Sequence, residues 1–341
     1  MSILFKRVLL ASLSLFLILL IVIPTLFYYS NLSFDESDVL IIKKGASLNE
    51  VVRDLETNFN FDSGFELKVM MRLLFVENDI KPGKHSLEGI NSIKNLIREL
   101  RTYPKNEVKI TLLEGWSLKD IANYLEDNLE LIKADNFIAL CNNQKFINKE
   151  LIYKLGFYNV KNLEGYIYPE TYYVDAYLSE GELIKIFISE FLSKTKSLKK
   201  DINNEVMIVA SIIEAETNFI TEMDTISSVY NNRINRSMRL ESDPTILFYM
   251  SDFDLKTFKN SKPGTREFGK VWKKYKNMDN PYNTYKYLMP PGPINSPRIE
   301  AIYAALNPAN TNYIYMVMNG RLGRHLFADD LTGHNKNRKK K

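Results

Sequence analysis

The chain opens on an apolar run. Val8 to Tyr29 has Ser12, Ser14 and Thr25 as its only polar members before its aromatic end, and about 20 apolar residues span the hydrocarbon core of a bilayer. Lys6 and Arg7 precede the run; Asp35, Glu36 and Asp38 follow it. Positive charge stays on the cytoplasmic side, so the flanks predict a single-pass helix with a cytoplasmic N-terminus and an exported remainder. A cleaved signal peptide is the alternative, but its apolar region is usually about 7–15 residues long and ends at a small-residue site. Here the run ends in Leu26, Phe27, Tyr28 and Tyr29, aromatics suited to the membrane interface. The reading is an uncleaved anchor within residues 1–33 of a cytoplasmic (inner) membrane protein whose folded part is periplasmic or otherwise extracytoplasmic.

Beyond the anchor the periodicity shortens. Val39 to Ile42 reads as a strand, and Gly45-Ala46-Ser47 supplies a turn and a cap for a helix over Leu48–Leu55, with Glu50 as capping-box partner. A turn at Lys81-Pro82-Gly83-Lys84 leads toward another strand. Ser92 then caps Ile93–Leu100, where Ile93, Leu96, Ile97 and Leu100 make one apolar stripe. The first pattern recurs in register: after the apolar Val108 to Leu113 come Gly115-Trp116-Ser117-Leu118, Asp120, Ile121, Ala122 and Leu125. This repeated strand-turn-helix resembles the lysin-motif half-unit, which implies a small α/β module over residues 34–130 that binds N-acetylglucosamine polymers. A generic capped strand-helix carries the same pattern. Leu131 to Phe157 reads as helical linker. From Leu163 onward, segments dense in Tyr, Pro, Asn and Gly alternate with helices, one of them over Glu180–Lys194.

Composition narrows the classes. The 341 residues hold one large domain or two smaller ones. A net charge of +4, from 45 basic and 41 acidic side chains, is too mild to argue for nucleic acid. Much of the excess sits in Lys336, Arg338, Lys339, Lys340 and Lys341, and residues 336–341 read as a solvated basic tail. Cys141 is the sole cysteine, so no internal disulfide forms. His85, His325 and His334 lack metal-ligand spacing, and neither metal nor cofactor is expected.

The chemistry gathers on one helix. Val206 to Ile213 is apolar almost all round, the signature of a buried helix, and it runs into Glu214 and Glu216. Positions two apart point in nearly opposite directions. Glu216 extends the stripe Val209, Ile212 and Ile213, whereas Glu214 extends Met207, Ala210 and Ser211, so Glu216 is the candidate for the apolar side. A carboxyl against apolar neighbours has its pKa raised and can serve as an acid near neutral pH. The bland alternative has both glutamates solvated, or paired with Arg233 or Arg239.

Several blocks then align with one family. They are Leu163-Glu164-Gly165-Tyr166-Ile167-Tyr168-Pro169-Glu170-Thr171-Tyr172 and Ala210-Ser211-Ile212-Ile213-Glu214-Ala215-Glu216-Thr217. Next come Val229-Tyr230-Asn231-Asn232-Arg233 and Met238-Arg239-Leu240-Glu241-Ser242-Asp243-Pro244-Thr245. Last are Tyr282-Asn283-Thr284-Tyr285, Pro290-Pro291-Gly292-Pro293-Ile294, Asn307-Pro308-Ala309, and His325 with Phe327 and His334-Asn335. In this order, from about residue 40 to the C-terminus, they resemble the endolytic murein transglycosylases, the MltG or YceG-like family. The resemblance implies an α+β chain: a transmembrane helix, the lysin-motif-like module, and a mixed α+β catalytic domain over residues 131–335. It implies a lytic transglycosylase that cuts peptidoglycan glycan strands between N-acetylmuramic acid and N-acetylglucosamine and ends nascent strands, with peptidoglycan synthases as partners. It maps the catalytic acid to Glu216. Glu241 stands where the family usually has Gln, and Met289 intrudes before Pro290.

Most glycosidases need two carboxylates; a lytic transglycosylase needs one, because the sugar's own C6 hydroxyl attacks C1. As substrate-binding residues the sequence offers Glu164 and Tyr166 beside a glycine turn, Glu241, Asp243, Asn283 and Tyr285. Asp243-Pro244 also reads as an N-cap followed by a first-turn proline, and His325 as a structural hydrogen-bonder. Two other readings stay open: a non-catalytic peptidoglycan-binding scaffold, and a two-carboxylate muramidase pairing Glu216 with Glu164 or Glu241.

Overall fold

The structure is a computed structural model that describes residues 32–340 except 36, 44, 103, 105–106, 153–159, 199–201 and 263–264. The expected membrane helix lies outside these residues; among those described, no helix is long and apolar enough to cross a membrane. The described chain clusters into two units. One runs up to Val108 and includes Tyr173–Ser179; the other holds Lys109–Tyr172 and Glu180 onward.

The first unit contains β1 (Val39–Ile42), α1 (Leu48–Asn58), α2 (Gly64–Leu73), β2 (Gly83–Ser86) and α3 (Ile93–Leu100). β1 and β2 pair antiparallel, Leu40 opposite His85 and Ile42 opposite Gly83. The pleat sends Leu40 and Ile42 inward, into a core with Val51, Val52 and Leu55 of α1 and Leu67 and Met71 of α2. The capping box on α1 forms as expected: Ser47 Oγ accepts the Glu50 N–H at 3.3 Å, and the Glu50 carboxylate accepts the Ser47 N–H at 2.7 Å. All four residues of the α3 stripe are buried. The sequence reading did not place α2. It ends in a Schellman turn, Val76 N–H to Met71 O at 2.9 Å and Phe75 N–H to Arg72 O at 3.0 Å. Phe75 takes the left-handed position, φ 57°, that usually goes to glycine, so the usual helix-stop signal is missing.

The second unit takes up the chain within β3 (Glu107–Thr111) and continues through α4 (Leu118–Asn128), α5 (Ala134–Cys141), α6 (Gln144–Ile147) and the first two residues of β4 (Thr171–Asp175), whose remainder from Tyr173 belongs to the first unit. Then follow α7 (Glu180–Lys194), α8 (Asn204–Glu216), α9 (Ile220–Asn235), α10 (Asp243–Phe248), α11 (Asp252–Asn260) and α12 (Arg266–Asn277). α13 (Ile299–Leu306), β5 (Tyr315–Asn319), β6 (Arg324–Ala328) and α14 (Leu331–Arg338) complete it. β3 pairs with β4, and β5 antiparallel with β6.

The second capping box, Ser117 with Asp120, forms as the first did, but its helix α4 belongs to this second unit. The recurring pattern thus caps one helix in each unit. Up to Ile147 the stretch read as helical linker contributes to the core: Phe137, Cys141 and Ile147 are fully buried. Nor is the basic tail a free end up to Lys340, because Asp330 caps α14 and Asn319 Nδ2 donates to Lys340 O at 3.1 Å. Its charges from Lys336 to Lys340 nevertheless stay exposed.

α8 is buried from Met207 to Ile213 and packs on α9 and α13. Ser211 explains its one polar position in that stretch. Its hydroxyl donates to Ile208 O at 2.8 Å and accepts the Ile294 N–H at 3.0 Å, while Asn295 Nδ2 donates to Ser211 O at 2.8 Å. These bonds fix the proline-rich loop to α8. Gly165 presses on the same loop at φ 83°, where an added Cβ would lie 2.6 Å from Pro293 Cβ. Gly165→Ala is therefore expected to lower stability by about 2–3 kcal/mol, from left-handed strain plus overpacking. A urea midpoint unchanged from wild type would show that the loop yields freely.

Candidate active site

Glu216 ends α8 at the wall of a cavity of about 460 Å³ in the second unit. Val229 and Leu240 are among its apolar lining residues, and Tyr230, Glu241, Asp243 and Tyr285 among its polar ones. Glu216 itself is half-buried. Its Oε1 accepts the Tyr230 hydroxyl at 2.7 Å and the Ser242 hydroxyl at 2.9 Å. Burial pushes the carboxyl above its ordinary pKa, and nearby Asp243 adds to the rise; the Tyr230 and Ser242 hydrogen bonds and His325 pull the other way. Both donors address one oxygen. That oxygen suits the carbonyl of a neutral acid, and Oε2 is the one left to carry the proton toward a ligand.

The flanking blocks each hold a part of this arrangement. On α9, Tyr230 reaches Glu216, while Asn232 Nδ2 donates to Thr311 O at 2.8 Å and Tyr313 O at 2.9 Å. One turn beyond Tyr230, Arg233 sends Nε to Ile314 O at 2.7 Å and Nη1 to Arg239 O at 3.0 Å and Leu240 O at 2.9 Å. These bonds pin the turn that delivers Ser242. Glu241, within that turn, sits at φ 50° with Oε2 3.3 Å from Arg233 Nη1. Thr284 completes the clamp: its carbonyl accepts the Glu241 N–H at 3.2 Å and its Oγ1 accepts the Ser242 N–H at 2.9 Å.

The residues offered by the sequence thus separate. Glu216, Glu241, Asp243 and Tyr285 line one cavity. Asp243 accepts a very short hydrogen bond from the Tyr285 hydroxyl. It is the first residue of α10, whose N-cap is Ser242, and Ser242 points its side chain at Glu216 instead of capping. Glu164, Tyr166 and Asn283 are not among the lining residues. Asn283 is buried and donates to the carbonyls of Lys276 and Met278, both at 2.9 Å. Tyr166 is a core residue, edge-on to Phe191 at 5.6 Å, so its ring is closed to sugar stacking. His325 lines the cavity as well, with Nδ1 3.1 Å from Glu222 Oε2.

Glu164 accepts the Leu118 N–H with its two oxygens at 3.0 and 3.2 Å, serving the start of α4. Burial, with a smaller contribution from Asp120, pushes it up to about 8, against the pull of its backbone N–H bonds. A carboxyl raised by folding holds its proton more tightly in the native state. Its contribution to stability is present below the unfolded value of 4.5 and lost as pH rises through about 8. Glu164→Gln is expected to flatten the pH dependence of stability across that window. An unchanged slope between the two limits would contradict this.

Tyr230 and Ser242 stand inside the family-like blocks with no role legible in the sequence, because a hydroxyl poised toward a carboxylate from another element leaves no local signal. Tyr230→Phe removes a donor that favours the anion, so Glu216 should stay protonated to higher pH. Activity that depends on this acid falls as pH rises through its pKa, and the variant should move that alkaline limb upward. A limb moved downward would contradict the assignment.

Residues 40–340 match the model of the YceG-like family, and the chain belongs to that family. It is 27% identical over 294 residues to an endolytic murein transglycosylase of Streptococcus pneumoniae, covering 76% of this chain and 50% of the relative. It is 29% identical over 248 residues to one from Bacillus subtilis, covering 68% of this chain and 64% of the relative. The chain thus spans about half to two-thirds of the length of these curated relatives. A crystal structure of a YceG-like protein from Listeria monocytogenes shares the mixed α+β fold, with a TM-score of 0.54 at 23% identity, over 89% of this chain and 99% of that one.

Proposed function

We propose that this chain is a lytic transglycosylase that cuts the bond between N-acetylmuramic acid and N-acetylglucosamine within peptidoglycan glycan strands. The observation that carries the reading is the Glu216 carboxyl, raised by burial and held through one oxygen by Tyr230 and Ser242. Its relatives' name, endolytic murein transglycosylase, adds support. The acid protonates the oxygen leaving C1 of N-acetylmuramic acid. As carboxylate it then takes the proton of that sugar's C6 hydroxyl, whose oxygen bonds to C1. The new end is a 1,6-anhydro ring, no water is consumed, and the enzyme regains its proton. Intramolecular attack replaces the positioned nucleophile of a hydrolase, and polar groups of the cavity steady the charge at C1.

The same reading places the chain in the cytoplasmic membrane by its N-terminal apolar run, with the folded part outside, acting on strands as synthases extend them. In the first unit a cleft of about 660 Å³ lies between the segment Gly45–Asn49, where α1 begins, and the segment around Glu77–Pro82. This suits glycan binding by the lysin-motif-like module. One observation favours a second reading: Glu241 shares the cavity with Glu216, as a two-carboxylate muramidase needs. Digestion of purified sacculi separates the two. The proposal expects anhydro ends that resist borohydride; reducible N-acetylmuramic acid ends would establish the muramidase.

A further inference from the structure

A second stretch of the Glu216 cavity wall has a chemistry that acid catalysis does not use. Tyr315 of β5 and His334 and Arg338 of α14 line it together with Arg233. The His334 ring stacks on Tyr315 with centroids 5.1 Å apart and planes 26° apart, and the Arg233 guanidinium carbon lies 5.4 Å from the Tyr315 ring centre. His334 Nδ1 is shut away without a hydrogen-bond partner. A proton there would be a buried, unpaired N–H, so the imidazole proton belongs on Nε2. Burial, then Arg338 and Arg233, hold the ring's pKa below its ordinary value, which keeps it a neutral donor and puts both guanidiniums within electrostatic reach of it. Arg233 is already engaged by Glu241 and three carbonyls. Arg338 is exposed and takes no part in that network.

The sugar rings of a glycan strand are neutral, so a cation on this wall has nothing to recognise in them. The charged substituent of the substrate is the lactyl-peptide arm on C3 of N-acetylmuramic acid, which ends in carboxylates. We infer that the wall formed by Arg338 and His334 is a carboxylate-binding subsite for the lactyl-peptide arm of the glycan. Guanidinium recognises carboxylate through charge-assisted, often paired hydrogen bonds, and the His334 Nε2–H adds a neutral donor beside it. Stacking on Tyr315 fixes that donor. The inference rests on the cavity being the glycan site, and it adds which part of the substrate is read for charge.

The test uses the full chain carrying Glu216→Gln, so that strands bind without turnover. Fluorescence anisotropy compares labelled soluble strands that keep their carboxylates with the same strands converted to amides. The Glu216→Gln protein is expected to bind the carboxylate form about tenfold more tightly, with the gap narrowing as salt is raised. Adding Arg338→Gln should reduce the gap to less than about twofold. Adding Lys336→Gln, an equal loss of charge on the same helix but outside the cavity wall, should leave it. No preference in the Glu216→Gln protein, a preference that survives Arg338→Gln, or one equally lost with Lys336→Gln would overturn the subsite. Because the readout is binding, a chain that prefers carboxylates but never cleaves strands would sink the lytic reading and leave the subsite standing.

Discussion

Glu216→Gln is expected to lower strand cleavage by about 10²- to 10⁴-fold, the usual contribution of a positioned general acid, with little change in stability. Glutamine keeps an oxygen for the Tyr230 and Ser242 hydroxyls but has no proton to give the leaving oxygen. It cannot act as base toward the C6 hydroxyl either. Because burial shifts the native carboxyl toward its neutral form, a neutral amide of the same shape places little new burden on the fold. Wild-type turnover in the variant, measured by release of soluble fragments from sacculi, would remove Glu216 from the mechanism. Loss of turnover with a collapsed unfolding midpoint would assign it a structural role instead.

Glu214→Gln is expected to do the reverse, lowering stability by about 2–3 kcal/mol, somewhat below the range for breaking a fully buried ion pair. The Glu214 carboxylate, with its side chain 2% exposed, accepts the Arg298 N–H at 3.0 Å, Nε at 3.0 Å and Nη2 at 2.9 Å. Glutamine would turn an amide group toward the guanidinium and leave that charge without its counterion. The Arg298 side chain keeps 21% exposure, which lets water recover part of the loss. This pair ties the end of α8 to the residue that opens α13. Cleavage by the folded variant should fall far less than in Glu216→Gln. An unchanged urea midpoint together with abolished cleavage would show that the two glutamates had been assigned the wrong way round.

The contrast between these glutamates marks where sequence reasoning holds. Helical spacing turns them to different sides, and the apolar run before them gives the buried helix. It does not reveal that Glu214 is the more deeply buried of the two, because its partner Arg298 lies 84 residues away in sequence. The capped helices were legible for a local reason: Ser47 with Glu50 and Ser117 with Asp120 carry their whole signal within four residues. The family blocks gave adjacency without orientation. Glu164 and Tyr166 flank Gly165, yet one serves the start of α4 and the other fills the core. Of Asn283, Thr284 and Tyr285, only the last lines the cavity, while the first two hold backbone in place. Charge in the last residues suggested a solvated tail, and only the fold of α14 over β5 brings His334 and Arg338 to the cavity.

In the proposed mechanism one carboxyl, Glu216, drives a cleavage in which no water enters the product. The most direct measurement is digestion of sacculi in heavy-oxygen water, with mass spectrometry of the new chain ends. The proposed mechanism predicts 1,6-anhydro-N-acetylmuramic acid ends free of the heavy isotope, and at least about a hundredfold fewer from Glu216→Gln. Reducible N-acetylmuramic acid ends carrying heavy oxygen at C1 would contradict it, and would make Glu241 the base of a hydrolase.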